Sequence, residues 1–302
     1  MLDSDEPTGR LALVFELMEL NLYEWIKGRR HFLPEGKVKV FIFQLLKSID
    51  HMHRNGIFHR DIKPENVLIS DETLKLADFG SCKGVYSKQP YTEYISTRWY
   101  RPPECLLTDG YYDYKMDIWG VGCVFFEVMA LFPLFPGNNE LDQVHRIHKV
   151  LGTPEASVLT EFEKKASHMK FNFPPVEGSG FEKHIMHVSS TGRDLITKML
   201  AYKSDERISA RQALKHVYFK DLVQMEKPLR VFPSPLGNTD DSAGDDEKTD
   251  LILPKIISSK RSDGKLKMAR SYKTISGKIP SITKKIVLEN RKINLSPIKK
   301  TL

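Results

Sequence analysis

GIFHRDIKPENVLISDETLKLADFG, residues 56–80, brings Asp61, Lys63, Asn66 and Asp78 into one short run. Two carboxylates, an ammonium and an amide at this spacing point to a site built around a polyanion and its metal. Hard oxygen donors such as Asn66 and Asp78 suit Mg2+ far better than zinc. Within the same run, Asn66–Ile69 and Leu74–Ala77 are short β-rich segments on either side of Ser70-Asp71-Glu72-Thr73, a hairpin pattern.

Working outward, Leu33-Pro34 opens a helix with apolar positions at Val38, Phe41, Leu45, Ile49 and Met52, and Asn55-Gly56 closes it. Leu11–Leu17 is an almost continuous apolar run of the kind found inside sheets. Only ten mostly polar residues precede it, so the reading expects it to lack partner strands upstream. Downstream, Ile118–Phe135 is apolar enough to raise a membrane span. It reaches only the lower limit of spanning length, carries Glu127 mid-run and ends on Pro133 and Pro136, which favours a helix buried in a large domain. Further helices are expected around 141–151, 190–200 and 209–216.

The chain has 302 residues and a net charge of +7. Residues 1–222 are nearly balanced, whereas residues 223–302 hold 17 basic against 9 acidic side chains, so the positive charge belongs to the tail. Three domains of composition follow. After a disordered start at 1–9, residues 10–222 form a folded, mainly α block. Residues 223–254 read as a Pro/Gly/Ser-rich, then acidic linker. Residues 255–302, with 14 basic and 2 acidic residues and almost no aromatics, cannot bury enough apolar surface to offset ordering entropy. A basic tail could bind nucleic acid or an acidic membrane surface, but this one has no aromatic interleaving and no amphipathic stripe, so it gives no strong nucleic-acid or membrane signal. Cys82, Cys105 and Cys123 form no CxxC pair and read as reduced, buried thiols of an intracellular protein.

HRDIKPEN (59–66), ADFG (77–80) and RPPE (101–104), followed by DIWGVG (117–122), resemble the catalytic half of a eukaryotic protein kinase. TEYISTRWYRPPE and PGNNELDQVHRIHKVLGTP are similar to the CMGC group. Within it they are similar to the male-germ-cell-associated and MAPK/MAK/MRK-overlapping kinases. The resemblance covers about residues 10–222. It implies a kinase-like large lobe with one residual strand of the small lobe, lacking the Gly-rich loop, the strand lysine and the helix glutamate that would cover ATP and Mg2+.

By that resemblance Asp61 orients the substrate hydroxyl, Lys63 neutralises the transferring phosphate, Thr97 bridges the two, and Asn66 and Asp78 hold Mg2+. Phe15 would be the gatekeeper at the adenine, although plain core packing competes for it. The backbone of Glu16 and Met18 would bind adenine and Asn21 would lie near the ribose. Thr92 and Tyr94 would be phosphorylated, with Arg60, Lys83, Arg98 and Arg101 receiving the phosphates. Phe79, Glu104, Asp117 and Arg207 would be structural, Glu104 pairing with Arg207. Pro102 stands where the family usually has Ala.

Two functions are therefore carried forward. One is an ATP-dependent serine/threonine kinase acting on Ser/Thr-Pro sites, with an upstream activating kinase and a chaperone as partners. The other is a kinase-lobe binding protein without ATP turnover. Cytoplasm, nucleus and, by family resemblance, the cilium are the expected locations. Ser234-Pro235 and Ser296-Pro297 read as proline-directed phosphosites, and Lys260-Arg261 as a nuclear-import patch.

Overall fold

The computed structural model describes residues 2–5, 10–92, 97–167 and 170–226. All lie in one unit, Met1–Pro233. Tyr94, most of the linker with Ser234-Pro235, and the basic tail with Lys260-Arg261 and Ser296-Pro297 fall outside the described residues.

Strands β1 (Leu2–Asp5) and β2 (Arg10–Leu13) pair antiparallel, Leu2 opposite Leu13. This corrects two expectations: residues 2–5 are a strand rather than part of a disordered start, and the apolar run does have an upstream partner. Strand pairing is a backbone interaction, so the polar Asp3-Ser4-Asp5 serves as well as an apolar run would. The strand also stops at Leu13, and Val14, Phe15 and Leu17 follow as exposed coil.

Strand β3 (Leu20–Asn21) leads into helix α1 (Leu22–Ile26). Helix α2 (Glu35–Arg54) realises the predicted period: Val38, Phe41, Leu45 and Ile49 are all buried. It ends where Gly56 takes φ +73°, a left-handed conformation that glycine adopts without strain. Strand β4 (Ile57–Phe58) leads directly into HRDIKPEN, and β5 (Val67–Ser70) and β6 (Thr73–Leu76) form the expected hairpin. Its turn uses Asp71 at φ +54°. The order β3-β5-β6 makes a three-stranded sheet, and β7 (Lys83–Gly84) pairs antiparallel with β4.

The remainder is helical: α3 (Pro103–Leu106), α4 (Met116–Ala130), α5 (Glu140–Leu151), α6 (Ala156–Glu163), α7 (Ser190–Met199), α8 (Ala210–Leu214) and α9 (Lys220–Glu226). Helix α9 carries the folded block past the expected boundary at 222. Every residue of α4 is buried, packed against α2 and α7, so the apolar run is the centre of a core. No helix among the described residues is long and apolar enough to cross a membrane.

Two glycines of α4 permit its close packing. A Cβ on Gly120 would come within 2.8 Å of the Ile62 side chain, and one on Gly122 within 2.9 Å of Met199. Asp117 and Gly120 are three residues apart on one helix face. That face meets the loop of the opening motif, which explains why DIWGVG must accompany HRDIKPEN.

Candidate active site

Asp117 anchors the loop from beneath. Its Oδ2 accepts the His59 backbone N–H and its Oδ1 that of Arg60, each at 2.8 Å. His53, from the last turn of α2, also meets Oδ2 through Nε2 at 2.9 Å. His59 then ties the loop to its neighbour. Its Nδ1 accepts the Asp61 backbone N–H at 3.3 Å, so Nε2 carries the ring proton and donates to the Ala77 carbonyl at 3.0 Å. HRD and ADFG are thereby joined through a single imidazole, and Phe79 meets the same ring edge-on at 5.6 Å.

The polar quartet is assembled on this base. Lys63 Nζ donates to Asp61 Oδ2 at 2.8 Å, and Asn66 Nδ2 donates to the same oxygen at 2.9 Å and to the Asp61 carbonyl at 2.8 Å. Asp61 Oδ1, buried, has no hydrogen-bond partner among the described residues. The carboxylate is thus held by one oxygen and offers the other. The Asn66 bonds use its amide nitrogen, leaving Oδ1 as the end able to meet a cation. Asp78 sits in the left-handed region at φ +63°, exposed, with Oδ1 accepting weakly from the Gly80 N–H at 3.4 Å. Two hard oxygen donors fit Mg2+, which usually binds one or two protein ligands and completes its shell with phosphate and water. Among the described residues no group of three or more His, Cys, Asp or Glu could hold a metal by itself.

Several predicted residues take other places. Thr97 is exposed and makes no hydrogen bond with Asp61 or Lys63 among the described residues; the direct Lys63–Asp61 bond stands in its stead. Asn21 caps α1: its Oδ1 accepts the Glu24 N–H at 2.9 Å and Glu24 returns the bond, so that oxygen is committed locally. Phe15 is 78% exposed among the described residues. The Glu16 side chain pairs with Lys75, and Met18 lies half-buried before β3.

Among the described residues, the three arginines predicted to receive phosphate contact different partners. Arg60, itself at φ +71°, donates through Nε to the Ser81 carbonyl at 2.6 Å and through Nη1 to the Tyr112 hydroxyl at 3.1 Å. Tyr112 in turn donates to the Thr92 carbonyl at 2.7 Å, linking Arg60 to the exposed Thr92. Arg101 is buried against Glu140 at 3.6 Å, and Arg98 reaches the Asn138 carbonyl at 3.4 Å. Lys83 is exposed on β7.

The Glu104–Arg207 pair forms as expected. Nη1 meets Oε1 at 2.7 Å and Nη2 meets Oε2 at 3.0 Å, with both side chains buried. Arg207 also donates to the carbonyls of Lys115, Ala201 and Tyr202, so its fork is fully used.

The sequence reading missed His53, His59, Tyr112 and Tyr100. His59 was visible inside the motif it helps to hold. Tyr112 carried no local signal, because its role depends on the satellite core of Phe58, Tyr91, Cys105 and Met116 around it. Burial pushes its phenol up to about 12 and the Cys82 thiol up to about 11, so neither ionises near neutrality. Tyr100 donates to Glu127 Oε2 at 2.7 Å, and burial raises the Glu127 carboxyl to about 7.

Residues 1–219 match the family described as protein kinase domain. The chain belongs to that family. Among its relatives is the MAPK/MAK/MRK overlapping kinase of Homo sapiens, 58% identical over 247 residues that cover 78% of this chain and 59% of the relative. That of Mus musculus is 59% identical over 216 residues, covering 72% and 51%. The serine/threonine-protein kinase MAK of Homo sapiens is 42% identical over 211 residues, covering 70% and 34%. The chain therefore matches at most about three-fifths of the length of these relatives.

Proposed function

We propose that this chain carries the substrate-side half of a proline-directed serine/threonine kinase site, in which Asp61 receives the substrate hydroxyl. The supporting observation is the asymmetry of Asp61, with Oδ2 held by Lys63 and Asn66 and Oδ1 without a partner among the described residues. Bound ATP with Mg2+ supplies the phosphoryl group, and Asn66 and Asp78 would hold the metal. Asp61 Oδ1 accepts the hydroxyl hydrogen bond and aligns the oxygen for in-line attack. Lys63, already beside Asp61, supplies positive charge where negative charge develops. Phosphorylation at Thr92 would act on Arg60 through the Tyr112 link. Arg98 and the adjoining WYR run support the preference for Ser/Thr-Pro substrates.

A second reading is favoured by a specific observation. The 302 residues contain no G-x-G-x-x-G run, and Phe15, Leu17 and Phe79 present apolar side chains to water. On their own these residues would bind partners, including a chaperone, with negligible ATP turnover.

One assay separates the two. The chain is offered labelled ATP, Mg2+ and Ser-Pro or Ser-Ala peptides, alone and fused to the small lobe of a relative. Turnover is expected only from the fusion, with the Ser-Pro peptide, and is lost in Asp61→Asn. A fusion equally active with Asn at that position would overturn the role of Asp61. Ordinary turnover by the unfused chain, abolished by the same change, would overturn the non-catalytic reading.

A further inference from the structure

Away from the polar quartet, the C-terminal end of α4, helix α5 and residues 179–184 enclose a cavity of about 250 Å³. Arg146, Lys149, Lys183 and His184 line it, and no Asp or Glu does among the described residues. Arg146 is paired with Asp142 one turn back on α5, at 3.0 Å. Lys149 and Lys183 form no ion pair among the described residues. Glu182, immediately before Lys183 in sequence, turns its carboxylate to the Phe181 backbone N–H at 3.0 Å, beside Gly180. The cavity thus has an excess of basic over acidic side chains, with Lys149 and Lys183 outside any ion pair among the described residues.

Its floor and wall are aromatic. Leu131 ends α4 in the left-handed region at φ +66° and is followed by Phe132, 44% exposed. The Phe132 ring meets Phe126 edge-on at 5.6 Å and His184 edge-on at 5.4 Å, while Phe126 meets Phe181 at 5.9 Å. A flat anion-binding surface would need none of this, and an apolar pocket would not carry four basic side chains.

We propose that this cavity binds an aryl phosphate, the side chain of a phosphotyrosine on a partner peptide. Sites for drug-sized ligands run to about 300–1,000 Å³, so a cavity below that range suits one side chain rather than a cofactor. The benzene ring packs edge-to-face within the aromatic wall. The dianionic phosphate at its para position then reaches Lys149 and Lys183, where charge-assisted hydrogen bonds form.

Binding requires no turnover, so it is tested independently of the kinase reading. The 302-residue chain is titrated with phenyl phosphate, inorganic phosphate, phenol and a phosphotyrosyl peptide, by calorimetry and by amide 1H–15N spectra. Phenyl phosphate should shift the amides of Ser179, Gly180 and Lys183 and bind about tenfold tighter than inorganic phosphate or phenol, a difference of about 1.4 kcal/mol. Lys149→Ala combined with Lys183→Ala should lower its affinity by about tenfold or more. Phe132→Ala should erase the preference for phenyl phosphate over inorganic phosphate. All three positions are exposed or half-exposed, and unchanged thermal melting will show that the variants fold. Equal binding of phenyl phosphate and either inorganic phosphate or phenol overturns the proposal, as does wild-type affinity in the double variant. If phenyl phosphate binds but the peptide does not, the peptide-borne source is overturned.

Discussion

Asp117 holds Arg60 by its backbone: Oδ1 accepts the Arg60 N–H at 2.8 Å while Arg60 sits at φ +71°. A non-glycine residue in that region is strained unless its surroundings fix it. The same carboxylate takes the His59 N–H, so Asp117 specifies the path of the loop that carries Asp61. Asp117→Asn keeps the shape but turns an amide donor toward a backbone donor. One buried N–H then lacks an acceptor, and the variant should lose about 3 kcal/mol of stability. Urea unfolding measures this, and a midpoint equal to wild type would show that the loop holds itself.

Glu104 and Arg207 offer a second test, independent of the loop. Removing one partner of a buried pair leaves the other charge without compensation, so Glu104→Ala should cost about 3–5 kcal/mol. Arg207→Lys keeps the charge but cannot span both carboxylate oxygens, and should also destabilise. Calorimetric melting of each variant reads the effect. Melting unchanged in Glu104→Ala would mean that the three carbonyl bonds of Arg207 suffice.

Two buried groups make opposite pH-dependent contributions. Burial raises Glu127 from 4.5 to about 7, so its folded form binds a proton that the unfolded chain has released. Its stabilisation is complete below pH 4.5 and is lost as pH rises through about 7. Burial lowers His148 from 6.5 to about 4, so its contribution is complete above pH 6.5 and is lost as pH falls through about 4. Each is worth about 3 kcal/mol, and between them they nearly cancel in the overlapping window. Glu127→Gln should leave a stability that rises with pH there; His148→Asn should leave one that falls. Melting temperatures collected across the window decide it, and parallel profiles for the three proteins would refute both assignments.

Gly110 sits at φ +80°, and a Cβ there would lie 2.1 Å from the Tyr91 carbonyl oxygen. Tyr91 also donates its N–H to the Gly110 carbonyl at 2.8 Å and packs between Phe58 and Tyr112. Gly110→Ala should therefore release the segment around Tyr91. Chymotrypsin should cut at Tyr86 and Tyr91 faster than in wild type while the melting of the helical core changes little. Identical digestion time courses would refute this.

Much of this was legible in the sequence because it is periodic or because one local motif fixes it. The stripe on α2 predicted its buried face, and the hairpin followed from four turn residues between two β-rich runs. Glu104 with Arg207 was also anticipated. What escaped depends on partners chosen by the fold. Strand β1 is polar and pairs through its backbone, so hydropathy could not find it. Asn21 was read for a distant ligand, whereas Glu24 three residues on already marked a capping box. Tyr112 is an ordinary tyrosine until Arg60 and Thr92 are brought to either side of it.

The two bonds on Asp61 Oδ2 have a directional consequence. A carboxylate pinned along one edge cannot swivel freely; turning it would break contacts with Lys63 and Asn66 together. Were Asp61 to receive a substrate hydroxyl as proposed above, an alcohol would have to approach along a single line, and a side chain whose hydroxyl sits farther from the peptide backbone, such as tyrosine, would overshoot it. On that reading, discrimination between short and long hydroxyl side chains would be set in part by an oxygen that never touches the substrate.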